Sequence, residues 1–191
     1  EFNIVAVGKI NQNKGFDRLA RVLKDLLQDG FNPHIYIIGA GEDKEKIEKY
    51  LSDEGITNSF TFIGYRKNPY QYITHCDLFV CSSYREGFST AATESLIVGT
   101  PVLTVDVSGM KELLGENNDY GIIVDNDDKA LYQGIKDYML DPNLQQKYKI
   151  KLLNYVLMLL RIYYRCNICI FHFDHNVRDD VNVRHQFYSR D

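Results

Sequence analysis

Six short apolar runs, separated for the most part by helical patterns, leave this chain few folds to choose from. The runs are Ile4 to Gly8, His34 to Gly39, Phe60 to Gly64, Asp77 to Ser82, Pro101 to Asp106 and Gly121 to Val124. Each is about as long as a buried strand and rich in β-branched or aromatic residues. Between the first two, Phe16, Leu19, Ala20, Leu23, Leu26 and Leu27 fall on one helical face, and Gly30 is a plausible stop. Asp43 to Ser52, Pro69 to His75, Ser89 to Val98 and Asp128 to Leu140 read as the other main helices. Strands that alternate with helices predict a parallel sheet covered on both faces through right-handed crossovers. The expected fold is α/β, a Rossmann-like doubly wound parallel sheet of about six strands.

Parallel strands bring their C-terminal ends to one edge, and open sheets of this kind bind ligands there. Gly8, Gly39, Gly64, the loop after Ser83 and the loop after Asp106 all follow strand ends. The loop after the fourth strand carries the densest chemistry: Glu86-Gly-Phe-Ser-Thr-Ala-Ala-Thr-Glu94, then Gly99-Thr-Pro101. Ser89 or Thr90 can cap the helix that begins there, and its free N–H groups suit an anion such as a phosphate. Gly87 permits close backbone approach. A bland reading stands beside this one, because a carboxylate near a helix N-terminus complements the helix dipole in any soluble protein. Lys9, Lys14, Arg66 and Lys67 likewise read, taken singly, as solvated loop charges.

Other chemistries fit less well. Gly39-Ala-Gly41 has two glycines of a dinucleotide fingerprint, but Lys44 takes the third position and the motif follows the second strand rather than the first. Asp125-Asn-Asp127 has the form of a metal-holding Asp-x-Asp, yet it opens a late helix, where Asp is an ordinary cap. His75 lies beside Cys76 and Asp77, but adjacent strand residues point opposite ways, which favours a loop or strand-edge histidine. No metal site is expected.

The Glu86 to Glu94 segment resembles the Glu, seven residues, Glu signature of retaining glycosyltransferases of family 4, in the form EGF, small residues, E and GTPV. The resemblance continues in Val7-Gly8-Lys9 with Lys14-Gly15-Phe16-Asp17, in Ile38-Gly-Ala-Gly41-Glu, in Phe62-Ile-Gly64-Tyr65 and in Ser108-Gly-Met-Lys-Glu112-Leu, in order over residues 2 to 150. It implies the nucleotide-sugar-binding half of a GT-B fold, with no metal or other cofactor needed. By the same resemblance Gly8, Lys9, Lys14, Gly39 and Gly41 belong to the donor site. Lys9 and Lys14 meet the diphosphate with the helix start at Ser89 and Thr90. Glu94 takes the ribose, Glu86 with the N–H groups of Gly87 and Phe88 holds the donor sugar, and Tyr65 and Arg66 lie against the base. Glu86, Lys14 and Lys9 are the residues implied in catalysis. Lys9 replaces the family's usual Arg, which keeps the charge and loses the bidentate fork.

The resemblance implies further that a UDP-sugar is the donor and that the acceptor is a bacterial polysaccharide or glycolipid, as in capsule or cell-wall assembly. The acceptor is expected to bind an N-terminal domain absent from this sequence, which starts at Glu1 without Met and reads as an excised piece. The expected location is cytoplasmic, with possible peripheral membrane association of the full-length enzyme. Two other readings use the same motifs, a sugar-nucleotide epimerase fragment and a non-catalytic nucleotide-binding module.

Composition narrows the partners. A net charge of -4 argues against nucleic acid, and 45% hydrophobic with 25% charged residues suits an ordinary globular domain. The apolar run from Leu152 to Ile162 is too short to span a bilayer. A break falls near residue 151: all thirteen lysines lie at or before Lys151, while five of nine arginines fall in the last forty residues. Residues 1–151 therefore read as the domain and 152–191 as an atypical tail, non-native or disordered. Cys166, Cys169, His172 and His175 have zinc-ligand residue types, but their spacing is too tight for the usual two-cysteine, two-histidine module.

Overall fold

A computed structural model describes residues 2–166. Its six strands are β1 (Phe2–Val7), β2 (Pro33–Ile38), β3 (Phe60–Gly64), β4 (Leu78–Cys81), β5 (Val102–Val105) and β6 (Ile122–Val124). They form one sheet in the order β3-β2-β1-β4-β5-β6. Every neighbouring pair is parallel, with Ile4 opposite Leu78 and Val5 opposite Phe79 at the centre. The expected α/β sheet is the observed one, and each expected strand lies within two residues of its place.

The period-two alternation of β1 divides the core. Ile4 and Ala6 point to one face, which α1 (Phe16–Gln28), α2 (Lys44–Asp53) and α6 (Asp128–Leu140) cover. Val5 points to the other, under α3 (Tyr70–Ile73), α4 (Thr90–Ile97) and α5 (Met110–Leu114). With both faces covered, all four residues of β4 and all four of β5 are buried, which is why those runs do not alternate; the one polar residue among them, Thr104, donates its hydroxyl to the Val105 carbonyl (2.9 Å).

Two helices go beyond the main ones expected. The five-residue α5 is set between Gly109 and Gly115, both at positive φ, too short to show a helical stripe. The long α7 (Pro142–Cys166) runs past residue 151 without a break. Pro142 fits a first helical position, and the Asp141 carboxylate accepts from the N–H groups of Asn143 and Leu144. Tyr148 and Leu152 anchor α7 in the core, and the Tyr148 hydroxyl donates to the Asn118 carbonyl (3.0 Å). The change of composition near 151 is thus not a change of backbone conformation. Residues 167–191, with Cys169, His172 and His175, lie outside the described residues. Among the described residues no helix is long and apolar enough to cross a membrane.

Candidate donor site

β1 and β4 are neighbours in the sheet, and the chain leaves them in opposite directions, β1 toward β2 and β4 toward β5. Their diverging loops open a crevice at the C-terminal edge, the topological switch point. A cavity of about 260 Å³ occupies it, lined by Gly8, Lys9, Lys14, Glu86, Phe88, Ser89, Thr90 and Glu94 among others. Small-molecule clefts and cavities run to about 300–1,000 Å³, and this one, walled by the loops after β1 and β4, is slightly smaller.

The inner part of that wall is built by close packing of the two loops. The Asn11 side chain caps a 3₁₀ turn over Gln12–Lys14. Gly15 follows at φ 64°, against the Ser82 carbonyl, where a Cβ would collide with that oxygen. Ser82 donates its hydroxyl to the Lys14 carbonyl (3.0 Å), and the Tyr84 N–H donates to Asn13 (2.8 Å). Lys14 is thereby lashed to the end of β4. Its stem crosses Gly8, where a Cβ would sit 3.1 Å from the lysine chain, and its ammonium reaches a Glu86 oxygen at 2.6 Å. The same Glu86 oxygen accepts from the Ser83 hydroxyl at 3.1 Å. With two donors on one oxygen, the other Glu86 oxygen is left for a ligand.

Ser89 is the N-cap of α4, its hydroxyl accepting from the Ala92 N–H at 3.2 Å, and the following turn lines the cavity. One turn further in, Glu94 meets the Tyr70 hydroxyl. Burial raises the Glu94 pKa above the usual carboxylate range, and the Tyr70 hydrogen bond pulls it part of the way back. The second half of the motif is structural: Ser95 donates to the Thr100 carbonyl (3.0 Å) and Thr100 to the Ile73 carbonyl (2.9 Å), which fixes α4 against β5 and α3. Gly109 packs on the loop carrying Gly87, where a Cβ would stand 3.0 Å from the Gly87 carbonyl.

The remaining candidates are dispersed. Lys9 lines the rim, largely exposed, and pairs with Glu42 at 3.1 Å. Gly87 is beside the cavity and Phe88 is 56% exposed on its edge. Tyr65 is 73% exposed, and Arg66 folds back on its own loop, donating to the Tyr72 hydroxyl and the Tyr65 carbonyl. Neither lines the cavity. Gly39 and Gly41 press against the backbone of Gly8 and Ile10, where a Cβ would collide with carbonyl oxygens; close packing alone calls for glycine there. Asp127 is the N-cap of α6, accepting from the Ala130 N–H at 2.8 Å. His75 closes α3 on the Gln71 carbonyl. Three residues with a part in this arrangement lay outside the sequence motifs: Ser83, Tyr70 and the buried Arg18. The double serine after a buried strand was a signal for the first; the partners of the other two are too far away in sequence to be seen.

This sheet order, with the crevice between its diverging halves, is the Rossmann-like fold of the GT-B glycosyltransferases. The chain belongs to the family Glycosyl transferases group 1, which it matches over residues 1–151. It is 30% identical over 150 residues to an N-acetylgalactosaminyltransferase of Campylobacter jejuni that acts on a diphospho-undecaprenol-linked sugar, covering 78% of this chain and 40% of that protein. It resembles the C-terminal domain of a glycosyl transferase group 1 family protein, LpcC, from Francisella tularensis, with a TM-score of 0.71 at 19% identity over 82% of this chain and 85% of that one. It also resembles Anabaena HepE, solved in complex with UDP, with a TM-score of 0.70 at 16% identity over 86% of this chain and 49% of that one. The chain spans about two-fifths or less of the length of the curated relatives it matches.

Proposed function

We propose that this chain is the donor-binding domain of a retaining glycosyltransferase that moves a sugar from a UDP-sugar to a polysaccharide or glycolipid acceptor. The observation that carries the reading is the meeting of Lys14, Glu86, Glu94 and the start of α4 in one cavity at the switch point. Sugar transfer needs that combination. As the bond from the anomeric carbon to phosphate breaks, the ring gains positive charge and the departing diphosphate gains negative charge. Fixed donors around the phosphate stabilise the second; each strong one contributes on the order of 3 kcal/mol.

In this reading Lys14, Lys9 and the first-turn N–H groups of α4 take the diphosphate. Glu94 accepts from both ribose hydroxyls, since one carboxylate can serve a cis-diol. Glu86 and the backbone of Gly87 and Phe88 take the sugar's hydroxyls, and Tyr65 and Arg66 swing onto the base. The acceptor attacks from the face the phosphate leaves, so configuration is retained and a phosphate oxygen takes the acceptor's proton. The relatives extend well beyond this chain, and the reading assigns the acceptor to the part outside it; this chain alone transfers little. The diphospho-undecaprenol-linked substrate of the Campylobacter relative supports an enzyme working at a membrane surface. HepE with UDP supports the choice of base.

Calorimetric titration with UDP, GDP, NAD and UDP-N-acetylglucosamine, repeated in EDTA and with Glu94→Ala, tests this. Saturable UDP binding that survives EDTA and is lost in the variant is the expected result. A folded chain that binds none of the four would overturn it.

A further inference from the structure

The buried group that the site does not use is Arg18, on α1 behind the cavity, 4% exposed. An arginine is seldom buried unless paired, and this one is paired through its Nε, one Nη and the face of its guanidinium. Its Nε donates to Asp128 (2.8 Å), and one Nη donates to the Asn126 side chain (2.7 Å) and the Ser82 carbonyl (3.4 Å). Its guanidinium lies over the Tyr84 ring, 4.1 Å from the centroid. Asn126 in turn donates to the Tyr84 carbonyl (3.3 Å), and the Tyr84 hydroxyl bonds both Arg21 (2.9 Å) and Asp17 (3.1 Å). Tyr84 is gripped at its ring, its carbonyl and its hydroxyl.

We propose that Arg18 is a positioning residue for the donor site: by clamping Ser82 and Tyr84 it holds Ser83 aimed at Glu86, and so the Lys14–Glu86 pair, in binding geometry. The inference rests on the donor-site reading. Burying a guanidinium beside Asp128, whose side chain is itself 42% exposed, is a poor way to stabilise a fold, since an apolar side chain of similar volume often does as well or better. What an apolar residue cannot supply is a planar fork that ties three segments together, α1, the loop after β4 and the turn before α6. Two of those segments lead directly to Lys14 and Glu86. Lysine at position 18 would keep the charge beside Asp128 and lose the fork.

The test uses the full chain with Arg18→Met and Arg18→Lys, read by hydrogen exchange and by UDP titration. Asp128 is 42% exposed and keeps Arg21 at 2.8 Å in either variant, so neither leaves it without a partner. The expected result is a melting temperature within a few degrees of the parent. Amides of residues 82–88 exchange at least tenfold faster, β1 and β2 are unchanged, and UDP affinity falls about tenfold in both variants. Parental exchange over residues 82–88 in a folded Arg18→Met chain would overturn the proposal, as would parental UDP affinity despite loosened amides, or full recovery of the loop by lysine. If Arg18→Met fails to fold, Arg18→Lys alone decides. If the parent chain binds no UDP, the donor-site reading falls, while the exchange data still judge the clamp.

Discussion

The two sides of the cavity are built by different means. On the inner side, Lys14, Ser83 and Glu86 are mostly buried, share one carboxylate oxygen and stand on backbone joined loop to loop. On the rim, Lys9 pairs with Glu42 with more than 60% of each side chain exposed and Phe88 is open to solvent; beyond the cavity, Tyr65 is exposed too, and Arg66 bonds only the Tyr65 carbonyl and the Tyr72 hydroxyl. The inner side is ordered before any ligand arrives, so it loses little freedom on binding; the rim must be ordered by the ligand, which costs roughly 0.5–1.5 kcal/mol per immobilised long side chain. Groups that meet charge at the reacting bond belong on the first side. Groups that tell one base or acceptor from another can sit on the second.

The contrast breaks most completely at Gly15. Its left-handed backbone and its contact with the Ser82 carbonyl leave no room for a methyl group. Gly15→Ala is expected to cost about 3 kcal/mol of stability, a fall of roughly 6–12 °C in melting temperature for a domain of this size, and to abolish UDP binding by displacing Lys14. Thermal melting with UDP titration checks both. Next comes Lys14→Met. It removes a cation from the position proposed for the phosphate and leaves Glu86 nearly buried with Ser83 alone; about 2–3 kcal/mol of affinity should go, a loss of roughly 30- to 150-fold in a titration. Some stability should go with it, since Glu86 is only 12% exposed and loses its cation, but the backbone of both loops is untouched, which separates this substitution from Gly15→Ala.

The inner side was also the more legible in the sequence. Glycine at 8 and 15, the lysine at 14 and the carboxylates at 86 and 94 are residue types that only a few backbone or chemical situations call for, and the strands leading to them are short and uniformly apolar. The sheet could be read for the same reason: buried parallel strands leave continuous apolar runs, and α1 shows a full helical stripe. What could not be read is long-range. Arg18 reaches Asp128 across 110 positions, and Tyr70 reaches Glu94 from a four-residue helix with no stripe of its own. Gly39 and Gly41 illustrate the converse, since they look like a binding motif while their positions are already demanded by packing on Gly8 and Ile10. The helix across residue 151 was hidden because a shift from lysine to arginine says nothing about backbone conformation.

Acidity sharpens the comparison further. The Glu94 pKa is raised by burial, and only its ionised form accepts from both hydroxyls of a ribose. UDP affinity should therefore fall as pH drops through a midpoint above the ordinary glutamate value of about 4.3. Tyr70→Phe removes the hydrogen bond that lowers this pKa, so its midpoint should move to higher pH. UDP carries a titrating phosphate of its own, and a parallel series with Glu94→Gln, whose side chain cannot ionise, subtracts it. A parent profile that overlays the Glu94→Gln profile would remove Glu94 from the nucleotide contact.

The smallest effect is expected at Lys9. Its ammonium is exposed and already shared with Glu42 at 3.1 Å, so salt screens it and a ligand must compete for it. Exposed pairs of this kind are worth about 0.2–1 kcal/mol, and Lys9→Met should weaken UDP binding by less than about fivefold. Lys9→Arg distinguishes a rim that merely attracts phosphate from one that grips it. If attraction is all, arginine and lysine bind alike and both lose affinity with added salt. If the planar fork engages two phosphate oxygens, arginine binds tighter and keeps its advantage at high salt. That second outcome would make the rim an ordered part of the site once ligand is bound, and would confine the difference between the two sides of the cavity to the unliganded chain.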